Sequence, residues 1–335
     1  MGKLTTSRQL IKAVFLLVIL TSLVIFVTQS DLSALKKELS RIGYRFIFIV
    51  FTTLVAYLFG TLAWWICLGP SKKKINIFEL FALRQIGETV GLFNPTSIIA
   101  GDLLKAELIT RYDIPLQQGL SSVAISRITA ILSQLSIFLL AMIWLMLSPL
   151  KNEVMQYTGY AIYVVCVVLL LFVVLIFYWL VSTKTPPKNT PADTSFVSKA
   201  KNKLQKLVWD TKDFYQQQNK VFWHSYLLFA IHWVIGSLEF YLILKFLAVD
   251  VKVIQGLILD MSVILFKSAG AFIPGQLGVE ELSNKLLLNM IGLSGGSIWL
   301  SVSILRRGRQ VFWTAIGAIF YLCIKKKNRT CYRLK

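Results

Sequence analysis

The sequence predicts an all-α polytopic membrane protein, with about six spanning helices and two re-entrant helical hairpins arranged as an inverted repeat. Three observations predict it: long charge-free apolar runs, basic clusters at the ends of those runs, and two broken segments that match each other. Of 335 residues, 56% are hydrophobic and 16% charged, a poor balance for a soluble domain of this length.

The stretches 13–30, 46–71, 128–150 and 154–183 contain no Asp, Glu, Lys or Arg. A helix crosses a bilayer core with about 20 apolar residues, so spanning helices are expected at about 13–30, 46–68, 120–147, 156–181, 222–246 and 299–324. The first run follows Lys3, Arg8 and Lys12 as a signal peptide would. It is longer than a usual h-region and lacks a small-x-small cleavage site, which reads as a retained signal anchor. The start Met1-Gly2-Lys3-Leu4-Thr5-Thr6 fits a loose myristoylation pattern that carries little weight.

The formal charge is +20, from 36 Lys and Arg against 16 Asp and Glu. Its placement argues against nucleic acid. The basic residues gather beside apolar segments, at Lys72, Lys73 and Lys74, at the eight lysines from Lys184 to Lys220, and in the tail 325–335. That placement fits the positive-inside bias and attraction to anionic headgroups. It predicts a multi-pass protein of the cell (cytoplasmic) membrane with both termini cytoplasmic. Lys36, Lys37, Arg41 and Arg45 fall on the outer side of that scheme and run against it. The four cysteines have no metal-ligand or CxxC spacing, so neither disulfides, metal nor cofactors are expected.

Residues 182–220 are the long hydrophilic stretch. They divide an N-terminal membrane half (1–181) from a C-terminal one (221–335). Phe196, Ala200, Leu204, Leu207 and Val208 recur there at helical spacing among lysines, as in an interfacial amphipathic helix or a solvated linker helix.

The hairpins are expected at about 77–110 and 253–291. The first carries Glu79, Arg84 and Glu88, stops at Asn94-Pro95, and resumes with Asp102, Lys105 and Glu107. The second carries Asp260 and Lys267, stops at Ile273-Pro274, and resumes with Glu280, Glu281 and Lys285. A helix broken at membrane depth survives where its freed backbone groups face protein or a water-filled cavity. The two align at one offset, Pro95 with Pro274, 179 residues on. At that offset Gly91 meets Gly270, Phe93 meets Phe272, Asp102 meets Glu281, and Arg127 meets Arg306. Glu88 meets Lys267 with opposite charge. The charge scheme brings the hairpins in from opposite faces, the inverted-repeat plan of many transporters.

Ionisable residues at membrane depth are costly and mark candidate sites. Asp102 with Arg127, and Glu281 with Arg306, are expected pairs. They either pin the hairpins or hold an anionic headgroup through the planar guanidinium. Asn94, Pro95 and Thr96 at one tip, and Pro274, Gly275 and Gly278 at the other, add donors and open backbone, and Glu280 stands beside Glu281. Glu88, Lys267, Arg307 and Arg309 are secondary, as are His232 and Glu239, which share a helix face as a proton relay or as ordinary interhelical contacts. No catalytic constellation appears: there are two histidines and no GxSxG, Walker-type or HExxH motif, so an enzyme is not expected.

The segment Asn94-Pro95-Thr96-Ser97-Ile98-Ile99-Ala100-Gly101-Asp102, followed by Ser126-Arg127, resembles the P…GD…R signature of the lysylphosphatidylglycerol synthase transmembrane-region family, also called flippase-like domain proteins. Ile273-Pro274-Gly275-Gln276-Leu277-Gly278-Val279-Glu280-Glu281 resembles that family's second motif, P-G-x-x-G-x-x-E. The resemblance covers roughly residues 10–325. It implies a bacterial or archaeal membrane protein linked to lipid flipping or export. In larger members this region precedes a soluble domain that aminoacylates phosphatidylglycerol. No such domain precedes the end at Lys335, so aminoacyl transfer is not expected to carry over. The leading expectation is a flippase-like protein that translocates or binds an anionic phospholipid or a polyprenyl-phosphate-linked lipid. The alternatives are a lipid headgroup-modifying enzyme and an accessory subunit of a glycosyltransferase or lipid synthase partner.

Overall fold

The computed structural model describes residues 32–93, 97–148, 160–182, 209, 212–270, 273, 276, 278–293 and 298–333. All regular structure among them is helical. The helices are α1 (Leu32–Ile42), α2 (Phe46–Cys67), α3 (Ile77–Phe93), α4 (Ser97–Leu108), α5 (Leu116–Leu147), α6 (Ala161–Val181), α7 (Asn219–Phe246), α8 (Val253–Ala269), α9 (Val279–Met290) and α10 (Ile298–Arg333). The expected run 13–30 and the amphipathic pattern from Phe196 to Val208 lie outside the described residues.

Four stretches are long and apolar enough to cross a membrane: Lys36–Cys67, Leu116–Leu147, Tyr163–Val181 and Asn219–Phe246. α10 has the length, at 36 residues, but Arg306, Arg307 and Arg309 keep it from qualifying on apolarity alone. The helix ends follow local chemistry. Gly69, at φ +58°, turns the chain after α2, and Asp113, at φ +56°, does so before Pro115 opens α5. The Gln255 side chain accepts the Lys252 N–H at 2.6 Å and closes the start of α8.

The chain divides into two compact units, one of 1–52, 81–105 and 238–335, the other of 53–80 and 106–237. The first unit has its core on Phe240, Ile243 and Leu244 of α7, Leu259 and Val263 of α8, Leu288 of α9, and Val302 and Leu305 of α10. α8 lies along α9, and α9 along α10. α10 also meets α3, where Phe81 sets its ring edge to Trp313 and Phe320, each 6.2 Å away. A side chain at Gly317 would strike Thr89, so glycine permits that close crossing. α3 and α4 meet in the same way: a Cβ on Gly101 would run into the Gly87 carbonyl and crowd Gly91. Small residues four apart let membrane helices approach to backbone contact.

The second unit is tied by small polar groups between α2, α5 and α7. Trp64 donates to Ser122 Oγ (3.2 Å), and Trp233 donates to the Ala130 carbonyl (2.9 Å). Ser225 Oγ donates to the Ala63 carbonyl (3.2 Å) and lies 3.0 Å from Thr129 Oγ1. The Trp64, Ser225 and Thr129 bonds are buried and the Trp233 bond partly so, and each matters by what its loss would leave unsatisfied. Ser225→Ala is expected to cost about 1 kcal/mol, read as a lower unfolding temperature in detergent. α6 turns Val164, Val167, Val168, Leu171, Phe172 and Leu175 outward, the face a lipid-exposed helix presents. At its far end Lys212 sits over Trp179 (5.4 Å) and Trp209 (4.9 Å), the Trp–Lys pairing of a membrane–water boundary.

Candidate functional site

The apolar helices of the first unit enclose a set of ionised side chains from α7, α8, α9 and α10. Arg306 is central. Its Nε donates to Glu280 Oε1 and its Nη1 to Asp260 Oδ1, both at 2.7 Å. The guanidinium lies 5.0 Å from the centre of the Phe240 ring. Lys267 Nζ donates to the other Glu280 oxygen at 2.9 Å. One turn of α10 further on, Arg309 Nε approaches Glu239 Oε1 to 2.7 Å, a close ion pair without the alignment of a hydrogen bond.

Arg307 points to the tip of the second hairpin. Its Nε donates to Glu281 Oε1 (2.8 Å) and its Nη2 to Glu281 Oε2 (3.1 Å), the two-pronged geometry guanidinium favours. Nη2 also reaches the Gln276 carbonyl at 3.3 Å, and Nη1 the Gln310 side chain at 3.1 Å. Glu281 Oε2 accepts the Gly278 N–H at 2.9 Å, capping α9. Four carboxylates (Glu239, Asp260, Glu280, Glu281) thus face four cations (Lys267, Arg306, Arg307, Arg309), and these bridges balance in charge.

The expected Glu281–Arg306 pair is replaced by two pairs in a shifted register. Arg306 takes Glu280, and Arg307 takes Glu281, each 26 residues apart rather than 25. Neighbouring residues on a helix point about 100° apart. A register read from sequence alone therefore selects the wrong neighbour when one partner steps by one.

In the first hairpin, Lys105 of α4 bridges the arms. Its Nζ lies 2.5 Å from Glu88 Oε1 on α3 and 3.0 Å from Asp102 Oδ1. The lysine stem lies across Gly87, where a Cβ would displace it. An acid–base bridge joins the arms in both hairpins with the charges exchanged: Glu88 on the first arm to Lys105, but Lys267 on the first arm to Glu280. This accounts for the opposite charges at matching positions. Arg127 is half-buried on α5, in the second unit. His232 Nδ1 lies 2.6 Å from the Ala56 carbonyl, among Tyr57, Phe229 and Trp233. His232 and Glu239 therefore each meet a separate partner, as interhelical contacts do. Asn94, Pro95, Thr96, Pro274 and Gly275 lie outside the described residues.

Asp260 and Lys105 complete the bridges and were not among the expected site residues, whereas Arg309 was expected as a secondary one. Asp260 and Lys105 had a signal, each being an ionisable residue within a mainly apolar helical arm that carries an opposite charge as well, Lys267 in one and Asp102 in the other. No group of three or more His, Cys, Asp or Glu among the described residues is arranged to hold a metal ion.

Four helices of spanning length and apolarity define a polytopic α-helical membrane protein. Residues 9–317 match the family model described as the lysylphosphatidylglycerol synthase TM region. The chain belongs to that family. No curated protein and no solved structure matches it.

Proposed function

We propose that this protein translocates an anionic phospholipid or a polyprenyl-phosphate-linked lipid across the cytoplasmic membrane. The supporting observation is the buried Asp260–Arg306–Glu280–Lys267 chain, which ties both arms of the second hairpin to α10. Burying this many charges against apolar helices brings a desolvation penalty that a hydrophobic core of equal volume avoids. A transport protein has a use for them, because guanidinium groups hold phosphate through paired N–H donors. In this reading the hairpins dip into the membrane from opposite faces and both termini are cytoplasmic. The arms of both hairpins also contribute to one compact unit, as a site between inverted repeats requires.

Reconstitution into liposomes tests this. The lipids are phosphatidylglycerol and a polyprenyl phosphate, each carrying a headgroup fluorophore, with outer-leaflet label destroyed by a membrane-impermeant reductant. Protein-dependent loss of the inner-leaflet fraction is expected, reduced at least tenfold in Arg306→Lys. Unchanged sidedness with both lipids ends the transport reading. A new lipid species on chromatography would instead make the protein a headgroup-modifying enzyme.

A further inference from the structure

The two arginines of the second hairpin differ in how they are closed. Arg306 is held by carboxylates from two helices, and Lys267 occupies the second oxygen of one of them. Freeing it means separating several buried charges at once. Arg307 meets Glu281 in a flat two-pronged contact. The Glu281 side chain is 29% exposed, against 2% for Glu280, 7% for Asp260 and 4% for Glu239. Of the carboxylates in this network, Glu281 is therefore the one an outside group can reach.

Its two oxygens sit where a phosphate would place two of its own, between Arg307 Nε, Arg307 Nη2 and the Gly278 N–H. The same arginine reaches the Gln276 carbonyl. Gln276 has φ +52°, in the left-handed region, which costs a residue with a side chain, while Gly278 adopts φ +80° freely. Gln276 is thus held in a disfavoured conformation by the fork that also holds Glu281.

We propose that Arg307 is the anion-receiving residue and Glu281 its exchange partner. A phosphate mono- or diester displaces the Glu281 carboxylate from Arg307, which releases the Gly278 N–H. This deepens the proposed function and rests on it. No covalent bond changes; one anion leaves the guanidinium as another arrives, so the charge at Arg307 stays matched throughout. Glu281 then serves as a built-in competitor that keeps the site closed without cargo.

The test uses the full chain in detergent and three probes: dioleoyl phosphatidylglycerol, dioleoylglycerol without phosphate, and inorganic phosphate. Binding is read by native mass spectrometry for the lipids and by calorimetry for phosphate. Glu281→Gln keeps the shape and removes the competing charge, so phosphatidylglycerol is expected to bind about tenfold tighter, roughly 1.4 kcal/mol. Arg307→Gln is expected to abolish this gain in the double variant, and Arg307→Lys, which keeps the charge but loses the fork, to weaken phosphatidylglycerol binding about tenfold. Hydrogen exchange at Gly278 is expected to rise on phosphatidylglycerol binding and to remain unchanged with dioleoylglycerol. Response to inorganic phosphate as well means the site reads the phosphate alone; response only to the lipid means it reads phosphate together with its lipid. Both outcomes support exchange at Arg307.

The proposal falls if the wild-type protein moves lipid while Glu281→Gln and Arg307→Lys both bind phosphatidylglycerol as it does. In that case the transport reading stands and the exchange site is wrong. If the wild-type protein moves no lipid in liposomes, the underlying reading falls first and the proposal with it.

Discussion

Replacing Arg306 by leucine is expected to destabilise the first unit by about 3–5 kcal/mol, the usual cost of removing one partner from a buried ion pair. Asp260 and Glu280 are 7% and 2% exposed at their side chains, so neither gains water when the guanidinium goes. Lys267 still neutralises one oxygen of Glu280, which leaves Asp260 as the group most damaged. Thermal unfolding in detergent measures the loss. A triple variant, Arg306→Leu with Asp260→Asn and Glu280→Gln, should recover much of it, because it removes the stranded charges as well as their partner. If Arg306→Leu alone unfolds at the wild-type temperature, the bridges contribute nothing and the network is not closed as described.

Gly101→Val is expected to cost about 1–3 kcal/mol through overpacking and to open the first hairpin. Any Cβ at this position meets the Gly87 carbonyl and the Gly91 Cα, which are backbone and cannot rotate away. Opening the arms also separates Glu88 from Lys105, so the bridge weakens with the packing. Gly236→Ala is the control. Its added carbon lies 3.8 Å from the Ala56 side chain, an ordinary contact, and alanine favours helix over glycine by roughly 0.5–1 kcal/mol. That variant should therefore unfold at or slightly above the wild-type temperature. Equal behaviour of the two variants would show that the α3–α4 crossing does not depend on a bare backbone at Gly101.

Much of the architecture is legible because the bilayer demands length and apolarity together. The runs around 46–68, 120–147, 156–181 and 222–246 announce themselves in this way, and helices occupy them. The last helix is harder, since three arginines interrupt a pattern that continues structurally from Ile298 to Arg333. Partner choice is harder still. Which of Glu280 and Glu281 faces Arg306 depends on a helical phase set by packing across three elements, and a one-residue step reverses the answer. The offset repeat pointed to Arg306 and Glu281, which both lie in the cluster, and set Glu88 against Lys267, but it named no partner for either of those two. Lys105 stood in the sequence as a charge in the first hairpin, but its match in the second half is the neutral Asn284, so a comparison of like residues between the halves passes over it.

α10 has one more consequence. It carries the arginines that hold the second hairpin and, further along, Trp313, Gly317 and Phe320 against the first. Arg306 and Gly317 are 11 residues apart, about 16 Å along a helix that rises 1.5 Å per residue. A continuous helix behaves over that distance as a stiff rod. A shift of its arginine end along the axis must then appear almost undiminished at the glycine crossing, so a rearrangement at one hairpin is mechanically reported to the other.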